Sequence, residues 1–97
     1  MSGDGTDKGE RARAWAELTT VELATAVADD PVVVLPVAAI EQHGPHLPLS
    51  TDLEIARGLL EEACRRLPPG VPVLTLTMQA VGASAEHLDF TGTLSLP

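Results

Sequence analysis

A chain of 97 residues with 14 acidic and 6 basic side chains carries a formal charge of -8, which repels phosphate backbones and anionic headgroups and argues against nucleic acid and membrane surface as partners. With 44% hydrophobic residues but one Phe, one Trp and no Tyr, one small domain is expected, its core built from Val, Leu, Ile and Ala in α/β layers. The single Cys64 excludes an internal disulfide and a thiol-pair zinc or redox motif, and no run has the length of a signal core or a membrane span, so the expected setting is reducing and cytoplasmic.

Residues 1–10 are Gly- and Asp-rich without apolar periodicity and read as a flexible tail ahead of a domain over 11–97. Thr19 with Glu22 three residues on forms a capping-box signature for a short Ala-rich helix ending near Asp29-Asp30-Pro31, with Trp15 and Leu18 packing just before it. The run Val32–Val37 is apolar throughout and predicts a strand buried on both faces of a parallel sheet, although Pro36 makes it either an edge strand or irregular by that point. After a loop from Glu41 to Ser50, Thr51-Asp52-Leu53-Glu54 repeats the capping signature and opens a helix to about Leu67. Leu53, Ala56, Leu60, Ala63, Cys64 and Leu67 share its apolar face, which makes Cys64 a packing residue, while the Glu61-Glu62 and Arg65-Arg66 runs belong to solvated surface. Pro68-Pro69-Gly70 stops the helix, and Val71–Met78 predicts a second strand, parallel to the first through a right-handed crossover. The chain beyond Gln79 is loop-like and stops just after the apolar stretch Thr93–Leu96, which reads as a cut in a longer fold. So short a sheet is expected to leave an apolar edge exposed, near Val32–Leu35 or Leu94–Leu96.

The segment that carries chemistry is Glu41-Gln42-His43-Gly44-Pro45-His46-Leu47-Pro48-Leu49-Ser50-Thr51-Asp52, between the carboxyl end of a strand and the start of a helix, where open α/β sheets bind ligands. In extended chain Glu41 and His43 point the same way, roughly 6 to 7 Å apart at the backbone. Two metal ions could each take one of them, and Asp52, returning across the loop, could bridge the pair. As the first residue of its helix Asp52 would sit beside unpaired N–H groups and the positive end of the helix dipole, a setting that suits a charged carboxylate. Gly44, Pro45 and Pro48 restrict the loop before any metal arrives, and the mixed nitrogen and oxygen donors suit zinc or manganese.

That string, with Gly82-Ala83-Ser84-Ala85-Glu86-His87 and Phe90-Thr91-Gly92-Thr93-Leu94-Ser95 in the same order, resembles the creatininase (creatinine amidohydrolase) family from Trp15 onward. The resemblance implies the N-terminal part of a three-layer α/β/α sandwich with a mainly parallel sheet. It also implies a homo-oligomer with two zinc or manganese ions per complete site, Glu41, His43 and Asp52 being ligands and Asp52 the bridge. The family's other ligands, a His and an acidic residue, come from motifs further downstream than Pro97, and Thr91 stands where many relatives have Pro. The implied reaction is hydrolysis of a non-peptide carbon–nitrogen amide bond in a small substrate by a dinuclear metal-activated water. Known relatives act on creatinine, on formamide intermediates or on a peptide in cofactor maturation.

Glu86 and His87 are expected to line the substrate pocket, and His46 to hold the loop and not the metal. Ser84 lacks the second glycine of a nucleophile elbow, so no serine nucleophile is expected. The complete protein is expected to be an enzyme. For these residues alone the alternative is a truncated, non-catalytic remnant or interaction module that keeps half of the metal site.

Overall fold

The computed structural model describes residues 12–97, and the tail expected at residues 1–10 lies outside the described residues. The chain divides into two compact units, one made of the stretch ending at Leu35 with Glu61–Thr77, the other of Pro36–Leu60 with Met78–Pro97.

The first unit is built on a parallel sheet of three strands, β1 (Arg13–Ala14), β2 (Val32–Val34) and β3 (Val73–Thr75), in the order β1-β3-β2. Among the described residues only β3 is flanked on both sides, and it supplies the core: Val73 is 7% and Leu74 2% exposed. The doubly buried strand expected over Val32–Val37 is therefore corrected. β2 is an edge strand with Val32 57% and Val33 45% exposed, and it stops at Val34, shortly before Pro36, which has no N–H to give a ladder. The second strand is likewise shorter than the expected Val71–Met78. β1 is too short to leave a sequence signal, its two residues lying opposite Leu74 and Thr75. Val32, Val33, Leu35, Leu94 and Leu96 are exposed, as expected of an uncovered apolar edge.

Helix α1 (Thr20–Val27) has the capping box that its sequence predicts. The Thr19 hydroxyl accepts from the Glu22 amide at 3.0 Å and the Glu22 carboxylate accepts from the Thr19 amide at 2.9 Å, satisfying two donors that the helix cannot. The same bonds hold the Glu22 carboxyl below its ordinary range. Beyond the helix Asp30 has φ 53, a left-handed conformation that Asp tolerates better than most residues, and Pro31 follows.

Helix α2 (Thr51–Arg65) starts in the second unit and ends in the first. Leu53, Ala56, Leu60, Cys64 and Leu67 are half-buried, whereas Ala63 is exposed. On the solvated side Arg57 pairs with Glu54, and Arg65 and Arg66 both pair with Glu62, exposed contacts that contribute little to stability. The capping box expected at Thr51 does not form. Thr51 is already helical, both its amide and its hydroxyl donate to the Pro48 carbonyl, and the Glu54 carboxylate is taken by Arg57. Asp52 is accordingly the second helical residue and not the first. Among the described residues no helix is long and apolar enough to cross a membrane.

In the second unit main-chain bonds lace three segments together. Val37 bridges Gln79 in parallel and Ile40 bridges Leu94 antiparallel, and the Leu96 amide donates to the Gly82 carbonyl at 2.8 Å. Gly82 is needed at this crossing because a Cβ there would stand 2.8 Å from the Ala38 carbonyl oxygen, which is backbone and cannot swing away. Gly82→Ala is expected to cost about 1 to 3 kcal/mol, read as a lower denaturant midpoint. An unchanged midpoint would show that the crossing has slack.

Candidate metal centre

All the chemistry-bearing residues singled out in the sequence lie in the second unit. Glu41 follows the bridge residue Ile40, His43 lies two residues on before the left-handed Gly44 (φ 78), and Asp52 stands in the first turn of α2. Each offers an atom that could ligate a metal, and these atoms lie within 4.8 Å of one another.

His43 Nδ1 lies 3.1 Å from the main-chain oxygen of Glu41. A carbonyl only accepts, so Nδ1 donates and Nε2 is the nitrogen that faces Asp52 Oδ1, at 3.1 Å. In a neutral ring that would set a lone pair against a carboxylate, an arrangement relieved by a proton or by a cation. The histidine pKa is accordingly raised above the ordinary 6.5, first by the bond to the Glu41 carbonyl and then by the charges of Asp52 and Glu41, against partial desolvation. This contribution to stability is complete below pH 6.5 and is lost as pH rises through the folded value. A titration of the His43 ring by proton NMR in metal-free protein is expected to give a midpoint above 6.5, and a midpoint at or below it would contradict the pairing.

Glu41 is fixed from the other side by a residue that the sequence reading set aside. Ser84 is 0% exposed, and its hydroxyl donates to Glu41 Oε2 at 2.6 Å, while its amide donates to Ser95 Oγ at 2.8 Å. Its hydroxyl thereby holds one oxygen of the Glu41 carboxylate. The signal that could have found it is its place in the Gly82–His87 block beside Glu86 and His87.

His87 Nε2 stands 3.8 Å from Glu41 Oε1, and Glu41, Glu86 and His87 form a second group with ligating atoms within 4.8 Å of one another. Glu86 itself is exposed in the 3-10 turn Ala85–His87. His46 is exposed and belongs to neither group. Gln42 and Thr93 were not singled out by sequence, yet the Gln42 amide N–H donates to Thr93 Oγ1 at 3.1 Å and its side chain reaches His87. A separate hollow lined by Arg13, Ala26, Asp29, Pro31, Pro72 and Val73 lies in the first unit and contains none of the candidate residues.

The donor set fits a divalent ion of the zinc or manganese kind: carboxylate oxygens, and an imidazole whose far nitrogen is already hydrogen-bonded, the orientation that metal-bound histidines adopt.

The family model described as "Creatininase: Creatinine amidohydrolase" matches residues 16–97. Mycofactocin precursor peptide peptidase of Mycobacterium tuberculosis (strain H37Rv) is 42% identical over 72 residues, a match covering 68% of this chain and 29% of the relative. The peptidase of the same name from Mycolicibacterium smegmatis is 41% identical over 68 residues, covering 68% and 28%. The chain thus spans less than a third of the curated relatives it matches. Among solved structures a Trp-to-Ala mutant creatininase superimposes with a TM-score of 0.68 at 30% identity, over 88% of this chain and 34% of that one. These matches support the α/β fold expected from the sequence, of which these residues form an N-terminal part.

Proposed function

This chain belongs to the creatininase family, and on that premise we propose that the protein is a metal-dependent hydrolase of carbon–nitrogen amide bonds in a small substrate, with Glu41, His43 and Asp52 as metal ligands. The observation that carries the proposal is the convergence of these three side chains, with His43 Nε2 turned toward Asp52 Oδ1 at 3.1 Å. In this reading the complete site would hold two zinc or manganese ions with Glu41, His43 and Asp52 among their ligands, and the protein would work as a cytoplasmic homo-oligomer.

Bound divalent ions would supply Lewis acidity, polarising an amide carbonyl and acidifying water. The chain's own residues supply orientation. The Glu41 carbonyl holds the His43 ring in one tautomer, Ser84 holds one oxygen of the Glu41 carboxylate, and Pro48 anchors the helix start that presents Asp52. Holding ligands before the ion arrives lowers the entropic cost of binding. Glu86 and His87 flank Glu41 and line the substrate side in this reading.

The curated relatives are named for a precursor peptide and the solved ones for creatinine. Both substrates present an amide carbon–nitrogen bond, so the proposal stops at the bond class. The test is to supply the full-length, metal-loaded protein with creatinine, small formamides and short peptides and to assay the released amine. Turnover of at least one is expected. No turnover of any substrate at full metal occupancy would favour the non-catalytic binding module.

A further inference from the structure

The geometry points to His87 as a fixed N–H donor for the carbonyl oxygen of a bound amide, locked in that form by Gln42, and not as a metal ligand. The amide substrate is taken from the function proposed above; the tautomer and the exclusion of metal follow from hydrogen bonding alone.

The argument starts at the Gly44 amide, which can only donate and lies 3.0 Å from Gln42 Oε1. The Gln42 atom facing Gly44 must therefore be the oxygen, since a flipped side chain would set N–H against N–H. That leaves the Gln42 Nε2–H2 group facing His87 Nδ1 at 3.1 Å. A primary amide nitrogen donates and does not accept, so Nδ1 is the lone-pair nitrogen of the neutral ring and the proton sits on Nε2. The Gln42 backbone is tied in turn, its amide donating to Thr93 Oγ1 at 3.1 Å.

Nε2–H is turned toward Glu41 Oε1, but at 3.8 Å the two do not bond directly. No described residue accepts from it within hydrogen-bonding distance, and the ring is only half-buried. The N–H is thus free beside the candidate metal ligand Glu41, where a polarised amide oxygen would need a donor. A metal ligand must instead offer a lone pair, and the lone pair of His87 is occupied by Gln42. The second carboxylate and histidine group, Glu41 with Glu86 and His87, then serves as a substrate-binding corner and not as a metal site. Gln42 touches neither substrate nor ion in this scheme and is a positioning residue.

The experiment is long-range 1H–15N NMR of the histidine rings in metal-free protein at about pH 8, where an ordinary histidine is neutral. His87 is expected as the Nε2–H tautomer, and Gln42→Glu, which replaces the donor by an acceptor, is expected to move the proton to Nδ1. A wild-type ring protonated at Nδ1 overturns the proposal, as does a tautomer indifferent to Gln42→Glu. In zinc-loaded protein His87→Ala is expected to keep the wild-type metal content, and loss of an ion would make His87 a ligand after all. His87→Gln, which keeps an N–H donor, is expected to exceed His87→Ala in kcat/KM by about tenfold, one hydrogen bond's worth, and equal values would remove the donor role. If no amide is hydrolysed by wild-type protein the function proposed above fails, whereas the NMR result and the metal content stand on their own.

Discussion

Asp52→Ala is expected to lose metal almost entirely, with zinc affinity weakened by roughly 100-fold or more, the upper end of what even hydrogen-bonding partners of metal ligands cost. Among the described residues Asp52 is the only carboxylate facing His43 Nε2 at hydrogen-bonding distance, 3.1 Å, so its removal takes away one donor and leaves the His43 lone pair without its neighbour. If Asp52 bridges two ions, both go together, because each loses the charge that screened it from the other. His46→Ala is the control. Exposed and outside both ligand groups, it is expected to leave affinity within a few-fold of wild type. Elemental analysis of dialysed proteins separates the outcomes, and full occupancy in Asp52→Ala would remove Asp52 from the ligand set.

Chelation is expected to reduce amide hydrolysis by the full-length protein to background, and zinc or manganese to restore it. The structure offers no obvious substitute for metal chemistry in the second unit. Ser84, whose hydroxyl donates to Glu41 Oε2, is 0% exposed, which keeps it from a substrate. Cys64 falls in the first unit. Activity that persists in protein stripped of metal, with the content verified, would mean that water is activated by side chains alone.

The convergence of Glu41, His43 and Asp52 was legible because a twelve-residue string fixes it: two-residue spacing puts Glu41 and His43 together, and a helix start returns Asp52 to them. The detail was not. Extended chain at Glu41 suggested that both side chains simply point one way, whereas the structure turns His43 back so that its ring bonds the Glu41 carbonyl. The turn that follows runs through the left-handed Gly44 (φ 78), whose conformation the sequence permits without requiring. Ser84, Gln42 and Thr93 escaped for a different reason. Their contacts with Glu41, His87 and the Gln42 backbone span 43, 45 and 51 residues of sequence, and no periodicity reports such distances.

The parallel pairing and both helices were readable from apolar runs, proline stops and the Thr19 capping box. Burial was misassigned. A run of valines looks buried wherever it stands, but exposure is set by strand order, and with β3 at the centre the valines of β2 fall at an edge. The Thr51-Asp52-Leu53-Glu54 signature failed because Thr51 is already inside the helix: the Glu54 amide donates to the Ser50 carbonyl, and the Thr51 amide that a capping box would give to Glu54 goes to the Pro48 carbonyl. Local sequence rules compete, and the helix start at Thr51 decided this one.

The central claim is that Glu41, His43 and Asp52 hold a divalent ion, and anomalous diffraction from crystals grown with zinc tests it most directly. The account predicts an anomalous peak within coordinating distance of a Glu41 carboxylate oxygen, His43 Nε2 and an Asp52 carboxylate oxygen, with zinc–ligand distances of about 2.0 to 2.2 Å. Zinc-saturated crystals with no peak among these side chains, His43 Nε2 still bonded to Asp52, would contradict it.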